Sequence, residues 1–125
     1  MSDKKMVERR KHQRFRVREG VFVVLGPDSN KIGTIMDISM GGLAYNYLED
    51  LFDEEDKFSE LNIFFAEESL YLKKIKFQVV ADQQPPKIPF SSINLRRCGV
   101  RFDNLNPSQT SELEHFIRNC TVGRA

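Results

Sequence analysis

Apolar and polar residues alternate along most of the chain, as expected of half-buried β-strands. The alternation starts at Phe15 and leads into a turn-forming cluster at residues 26–30, where two strands are expected to meet as a hairpin. Further strand-like segments follow at residues 31–39, 43–47, 61–66, 70–81 and 94–103. Three prolines exclude regular structure between residues 83 and 92. The pattern predicts a mostly-β chain built from short strands.

The end of the chain changes to a helical period. Asn106 is typical of an N-cap and Pro107 of the first helical position, followed by apolar residues at i, i+3, i+4 and i+7. We expect a helix over residues 107–120, with Gly123 ending it. Strands without βαβ alternation, followed by one helix, predict an antiparallel barrel whose helix covers one opening.

A polar motif interrupts the strand pattern at residues 37–42, which read Asp-Ile-Ser-Met-Gly-Gly. On a strand, Asp37 and Ser39 share one face, so both are expected to point outward while Met36 and Ile38 enter the core. Gly41 and Gly42 remove side-chain bulk beside them. The alternative is a local turn in which the polar side chains close a hairpin.

Composition limits the class of protein. The chain has 125 residues, of which 40% are apolar and 30% charged, so it suits one soluble globular domain. No apolar run is long enough for a membrane span, and the first residues lack the apolar stretch of a secretion signal. Two cysteines are too few for a disulfide framework, so we expect buried thiols and a cytoplasmic protein.

The sequence contains few residues or motifs that could support catalysis. The two histidines, His12 and His115, are expected to be solvated, and no metal-binding or nucleophile motif is present. We therefore expect neither an enzyme nor a metal site nor a cofactor.

Charge is concentrated at the N-terminus. Residues 1–20 hold eight Lys/Arg and three Asp/Glu, which gives +5, whereas the remaining 105 residues sum to −4. Residues 1–14 are thus expected to form a flexible basic arm that attracts an anion. Within it, Arg10 and Arg14 form an RxxxR pattern, although the same spacing recurs at Arg14–Arg18 and Arg97–Arg101.

Together these groups indicate a nucleotide ligand. Guanidinium groups bind phosphate bidentately, stack on purines and can read the O6/N7 edge of guanine. A carboxylate such as that of Asp37 can accept hydrogen bonds from guanine N1–H and N2–H₂, which adenine cannot supply. The arginines and Asp37 together fit a guanine nucleotide with exposed phosphates.

The order of these motifs resembles the PilZ domain family. It runs from Arg10xxxArg14 through Phe15-Arg16-Val17 and Asp37xSer39xxGly42 to Cys98-Gly99-Val100-Arg101-Phe102, followed by a terminal helix. The resemblance implies a six-stranded antiparallel β-barrel that binds cyclic di-GMP. It also implies that Arg10 and Arg14 bind phosphate and guanine, that Asp37 and Ser39 contact guanine, and that Gly42 lets the ligand approach. The neighbouring Arg9 and Gly41 complete the expected site, where Arg9 could help hold a second ligand.

We accordingly expect a single barrel domain over residues 8–120, preceded by the basic arm, that binds cyclic di-GMP and signals to a separate protein partner. The alternative within the same fold is a protein-interaction module with weak or no nucleotide binding. A nucleic-acid-binding barrel would display aromatic residues within a broad basic face. Residues 49–68 instead hold nine acids and one Lys, so no nucleic-acid partner is expected. Because no apolar run is long enough for a span, no membrane insertion is expected either.

Overall fold

The computed structural model describes residues 12–26, 31–48, 59–67, 70–83 and 95–125. The elements within these ranges are β1 (Phe15–Val17), β2 (Val21–Gly26), β3 (Lys31–Ile38), β4 (Gly42–Leu48), β5 (Glu60–Phe65), β6 (Leu70–Gln83), β7 (Leu95–Phe102), α1 (Pro107–Cys120) and β8 (Thr121–Arg124).

Six of the strands form a closed ring. Their order is β2-β5-β6-β7-β4-β3, and the ring closes where β3 pairs with β2. Every pairing in the ring is antiparallel, including the predicted β2–β3 hairpin. The six-stranded antiparallel barrel with a C-terminal helix is therefore confirmed. Strands β1 and β8 lie outside the ring, because β1 pairs with β3 and β8 pairs with β1.

The barrel interior holds the hydrophobic core, to which every strand of the ring contributes alternate side chains. Helix α1 adds Leu113, Phe116 and Cys120, all fully buried. The predicted cap is present: Asn106 Oδ1 accepts a hydrogen bond from the Gln109 amide at 2.7 Å, and Gln109 Oε1 accepts one from the Asn106 amide at 3.1 Å. None of the helices in the described ranges has the length and apolar character to cross a bilayer.

A β-bulge in β3 corrects one sequence expectation. Ile35 pairs with Tyr45 and Asp37 with Ala44, so Met36 is an extra residue on β3. The bulge shifts the alternation by one residue. Ile35 and Ile38 both enter the core, whereas Met36 is 39% exposed rather than buried as expected. Asp37 still reaches the outer face of the barrel, because the shift falls just before it.

The C-terminus continues beyond the predicted helix. Helix α1 ends at Cys120, and the chain turns directly into β8 instead of stopping at Gly123. Strand β8 pairs antiparallel with β1, with Phe15 opposite Arg124. The amide of Ala125 donates a hydrogen bond to the carbonyl oxygen of Arg14 at 3.0 Å. The last residues of the chain thereby fix the backbone at the end of the RxxxR pattern.

Candidate functional site

A cavity of about 990 Å³ lies against the outer wall of the barrel. Its walls come from the segment before β1, the β3–β4 turn, and strands β3, β4, β6 and β7. Ordinary ligand clefts measure about 300–1,000 Å³, so this cleft has room for a ligand with more than one ring system. The lining includes charged, polar and small residues, among them His12, Arg14, Asp37, Ser39, Gly41, Gly42, Ala44, Ala81, Arg97, Gly99 and Arg101.

Five of the residues singled out in the sequence line this cleft together: Arg14, Asp37, Ser39, Gly41 and Gly42. They come from two segments that are more than twenty residues apart in the chain. Pairing of β1 with β3 brings these segments together, with Arg16 opposite Asp37. Arg9 and Arg10 lie outside the described residues, as does most of the arm.

Asp37 lies on the outer face but is not freely solvated. Its side chain is only 10% exposed, and its Oδ2 atom is 2.9 Å from Nη2 of Arg97. The side chain of Arg97 is 42% exposed. A carboxylate with little access to water needs donors from its surroundings, and here Arg97 supplies one of them.

Ser39 organises the turn between β3 and β4. Its amide donates a hydrogen bond to the Gly42 carbonyl oxygen at 2.8 Å, and its hydroxyl accepts one from the Gly41 amide at 3.1 Å. The same hydroxyl donates to the Gly42 carbonyl oxygen at 3.3 Å. The local turn considered as an alternative is therefore present, in addition to the position of Ser39 in the cleft wall.

Both glycines of the turn have close neighbours, but only Gly42 is restricted by backbone, because the neighbour of Gly41 is an exposed side chain that can move. A Cβ atom on Gly42 would overlap the carbonyl oxygen of Val100 on β7, and one on Gly41 would lie 2.6 Å from Cδ2 of His12. Gly42 thus permits close packing of β4 against β7, which is a physical reason different from ligand approach. His12 was expected to be solvated; its side chain is exposed, but its ring lies against Gly41 and forms part of the cleft.

Sequence reasoning missed two arginines of the cleft. Arg97 and Arg101 lie on β7 and share the outer face with Gly99, because alternate residues of a strand point the same way. Their RxxxR spacing was visible in the sequence, but the pattern alone carried no information on where β7 lies. Arg101 Nη2 donates a hydrogen bond to Gln78 Oε1 on β6 at 2.6 Å.

Small residues form the floor between these arginines and Asp37. The cross-strand register aligns Asp37 with Ala44, Ala44 with Gly99, and Gly99 with Ala81. These three small residues lie side by side on β4, β7 and β6, so the cleft wall is low along this row, and the exposed side chain of Val80 on β6 lines the cleft beside Gly99. Such a surface allows a planar ring to approach the backbone closely.

A second arginine–aspartate pair lies next to the cleft without lining it. Arg96 Nε is 3.1 Å from Asp82 Oδ1, and the Tyr47 hydroxyl donates to both carboxylate oxygens of Asp82 at 3.2 and 3.1 Å. Burial, and then the hydrogen bond to Asp82, raise the pKa of Tyr47 to about 12. This pair has the same chemistry as Asp37–Arg97 in a different place, which makes it a useful control.

Both cysteines lie in the hydrophobic core and not in the lining of the cleft. Cys98 and Cys120 are free and buried, as expected, and burial raises the pKa of the Cys98 thiol. Within residues 12–26, 31–48, 59–67, 70–83 and 95–125, no three His, Cys, Asp or Glu side chains are grouped as a metal site. The cleft itself is lined by the charged and polar side chains of Arg14, Asp37 and Arg97, which can form ion pairs and hydrogen bonds with a ligand.

The chain is thus a small closed antiparallel barrel domain with an arginine-lined cleft on its outer wall. A family model described as the PilZ domain matches residues 8–119 of this chain. The chain belongs to the PilZ family.

Solved structures agree with this fold. One is described as the PilZ domain with c-di-GMP of YcgR from Escherichia coli, with a TM-score of 0.69 and 17% identity over 90% of this chain and 91% of that chain. Another, YcgR in complex with c-di-GMP from Escherichia coli, has a TM-score of 0.62 and 18% identity over 88% of this chain and 45% of that chain. A search of curated proteins found no significant match.

Proposed function

We propose that this protein is a receptor for cyclic di-GMP that closes its N-terminal arm over the dinucleotide and signals to a separate protein partner. One observation carries the proposal: the cleft of about 990 Å³ collects Arg14, Asp37, Ser39 and Gly41 from two distant segments of the chain. Membership in the PilZ family and the cyclic di-GMP named in two structures of the same fold support this ligand.

Guanine recognition is assigned to the carboxylate of Asp37. A guanine base offers N1–H and N2–H₂ side by side, and a carboxylate can accept both. Adenine has an unprotonated N1 and no amino group at C2, so it cannot form this pair of bonds. Ser39 holds the turn that carries Gly41 against the cleft, and in doing so fixes the wall beside Asp37.

Phosphate binding is assigned to the arginines of the arm. Arg14 lines the cleft, and Arg10 and Arg9 precede it in the chain by four and five residues. Guanidinium groups bind phosphate bidentately and stack on purine rings, so they can contact both parts of the ligand. In this proposal Arg9 helps hold a second, stacked dinucleotide.

Closure of the arm couples binding to signalling. Residues 1–14 contain six Lys/Arg and few apolar groups, so like-charge repulsion opposes gathering them around an empty cleft. Two phosphates supply the counter-charge. The closed arm would then present a new surface to the partner, which is an order–disorder switch. The alternative is a PilZ-fold interaction module that binds its partner with weak or no nucleotide binding.

Isothermal titration tests the ligand. We expect saturable binding of cyclic di-GMP, with weaker binding of cyclic di-AMP and GTP. Equal affinity for the two cyclic dinucleotides would contradict guanine recognition by Asp37. No binding of any of them would favour the interaction module.

Amide hydrogen exchange tests the closure of the arm. Residues 5–16 should exchange more slowly when cyclic di-GMP is present than when it is absent. Residues of α1 serve as the internal control, because their protection should not change. Equal exchange of the arm in both states would show that signalling depends on another change.

A further inference from the structure

We propose that Arg97 is a further ligand-binding residue, paired with Asp37 before the nucleotide arrives and moved onto a phosphate after it has bound. This inference rests on the proposed binding of cyclic di-GMP and adds a residue from β7 to the site. The observations behind it are the position of Arg97 across the barrel wall, its exposure, and the row of small residues beside it.

Arg97 reaches Asp37 across an intervening strand. Asp37 lies on β3 and Arg97 on β7, and both of these strands pair with β4. Arg97 lies opposite Asn46, two residues along β4 from Ala44, so its side chain runs diagonally towards Asp37. Neighbouring strands are about 4.8 Å apart, so the two side chains together must span about 10 Å across the strands in addition to this offset along them. Ala44, the residue of β4 opposite Asp37, is small enough not to obstruct this crossing. The guanidinium is thereby held over the floor of the cleft rather than at its rim.

The pair is asymmetric in its exposure. The Asp37 side chain is 10% exposed, whereas that of Arg97 is 42% exposed. A guanidinium has five N–H donors, and the bond to Asp37 Oδ2 uses one nitrogen, Nη2. Asp37 therefore depends on a donor, while Arg97 can be solvated or can take another acceptor. The exchange therefore costs the half-exposed guanidinium little, because water can solvate it, provided that the ligand supplies replacement donors to Asp37.

A guanine nucleotide supplies both parts of that exchange. The N1–H and N2–H₂ groups of the base replace the guanidinium on the carboxylate of Asp37. The phosphate then gives Arg97 a bidentate acceptor of the same charge as the carboxylate it leaves. Each charged group keeps a partner throughout, which avoids an unpaired buried carboxylate in the bound state.

The floor allows the ligand to reach Arg97. Ala44, Gly99 and Ala81 present no long side chain between Asp37 and the β6 side of the cleft. Arg101 lies on the same face of β7 as Arg97 but is bonded to Gln78. Arg97 is thus the β7 arginine whose observed partner is itself part of the guanine site.

The test compares cyclic di-GMP binding by the wild type, Arg97→Gln, Arg97→Lys and Arg96→Gln, using titration calorimetry together with thermal melts. Arg96→Gln is the matched control, because it removes one charge from the same strand and breaks an arginine–aspartate pair that does not line the cleft. We expect Arg97→Gln to weaken binding about tenfold or more, Arg97→Lys to lie between, and Arg96→Gln to match the wild type.

A second measurement separates phosphate contact from mere positioning of Asp37. In an Asp37→Asn background, with affinities measured by NMR titration, Arg97→Gln should weaken binding further if Arg97 contacts the phosphate. If Arg97→Gln causes no further loss of affinity in the Asp37→Asn background, Arg97 does not contact the phosphate and the inference is overturned. Normal affinity of a folded Arg97→Gln variant would overturn it as well. Both results are compatible with cyclic di-GMP binding by the wild type. Absence of binding by the wild type would overturn the proposed function as well.

Discussion

Replacing Asp37 by Asn is the sharpest perturbation of the proposed site. The substitution keeps the size and shape of the side chain but removes its charge and exchanges one acceptor oxygen for an NH₂ donor. That NH₂ group would face a donor of guanine, so at most one of the two base contacts survives. In the free protein, the same change removes the ion pair with Arg97.

The two effects differ greatly in size. A hydrogen bond to a charged group contributes about 1.5–3 kcal/mol, so losing the carboxylate should weaken cyclic di-GMP binding by about a hundredfold. Stability should change much less, because Arg97 is 42% exposed and can be solvated. An ion pair of this kind is worth about 1 kcal/mol or less, which corresponds to a fall of about 4 °C in melting temperature.

Titration calorimetry and thermal melts of Asp37→Asn would measure both quantities, with Asp82→Asn as the control. Asp82 also pairs with an arginine of β7 but does not line the cleft. We expect Asp82→Asn to bind normally despite its lost ion pair. Unchanged affinity of Asp37→Asn, or loss of binding that merely follows a collapsed melt, would refute the assignment of Asp37 to guanine.

Three further outcomes are expected. Arg14→Ala should weaken cyclic di-GMP binding about tenfold or more in titration calorimetry. The melt should change little, because Ala125 bonds to the backbone of Arg14 and not to its side chain. Gly42→Ala should lower the melting temperature strongly, since its methyl group would overlap β7, whereas Gly99→Ala meets only ordinary contacts and should melt normally. The pKa of Tyr47 is raised to about 12 in the folded protein, so its hydroxyl ionises at lower pH in the unfolded chain than in the folded one. The stabilisation contributed by the Tyr47 hydroxyl is therefore complete below about pH 10 and is lost as the pH rises towards 12. Melts between about pH 9 and pH 11.5 should therefore show a smaller fall for Tyr47→Phe than for the wild type.

Much of the barrel could be predicted because local patterns and tertiary structure agree. The helix cap at Asn106 and the β2–β3 hairpin depend on residues close together in the chain, and both are present. The outward position of Asp37 was also predicted, although the buried position expected for Met36 was wrong. An extra residue in a bulge changes which side chains face inward, and a period of two cannot reveal it.

Other features depend on contacts between distant parts of the chain. Strand β8 has four residues, of which three are exposed, so no apolar pattern marks it. Arg97 reaches Asp37 only because β4 separates their strands and has a small residue at the crossing point. Neither the strand order nor that reach can be derived from spacing along the chain, so this half of the cleft was missed.

Pairing of β8 with β1 makes the C-terminal end a natural place to observe ligand binding. The amide of Ala125 is hydrogen-bonded to the carbonyl oxygen of Arg14, although 111 positions separate the two residues in the chain. An environment-sensitive fluorophore attached at residue 125 would lie beside the segment that leads into the arm, without occupying the cleft. Any protein fused after that residue would likewise begin next to Arg14, so the geometry of a fusion would have to leave room for the arm to close.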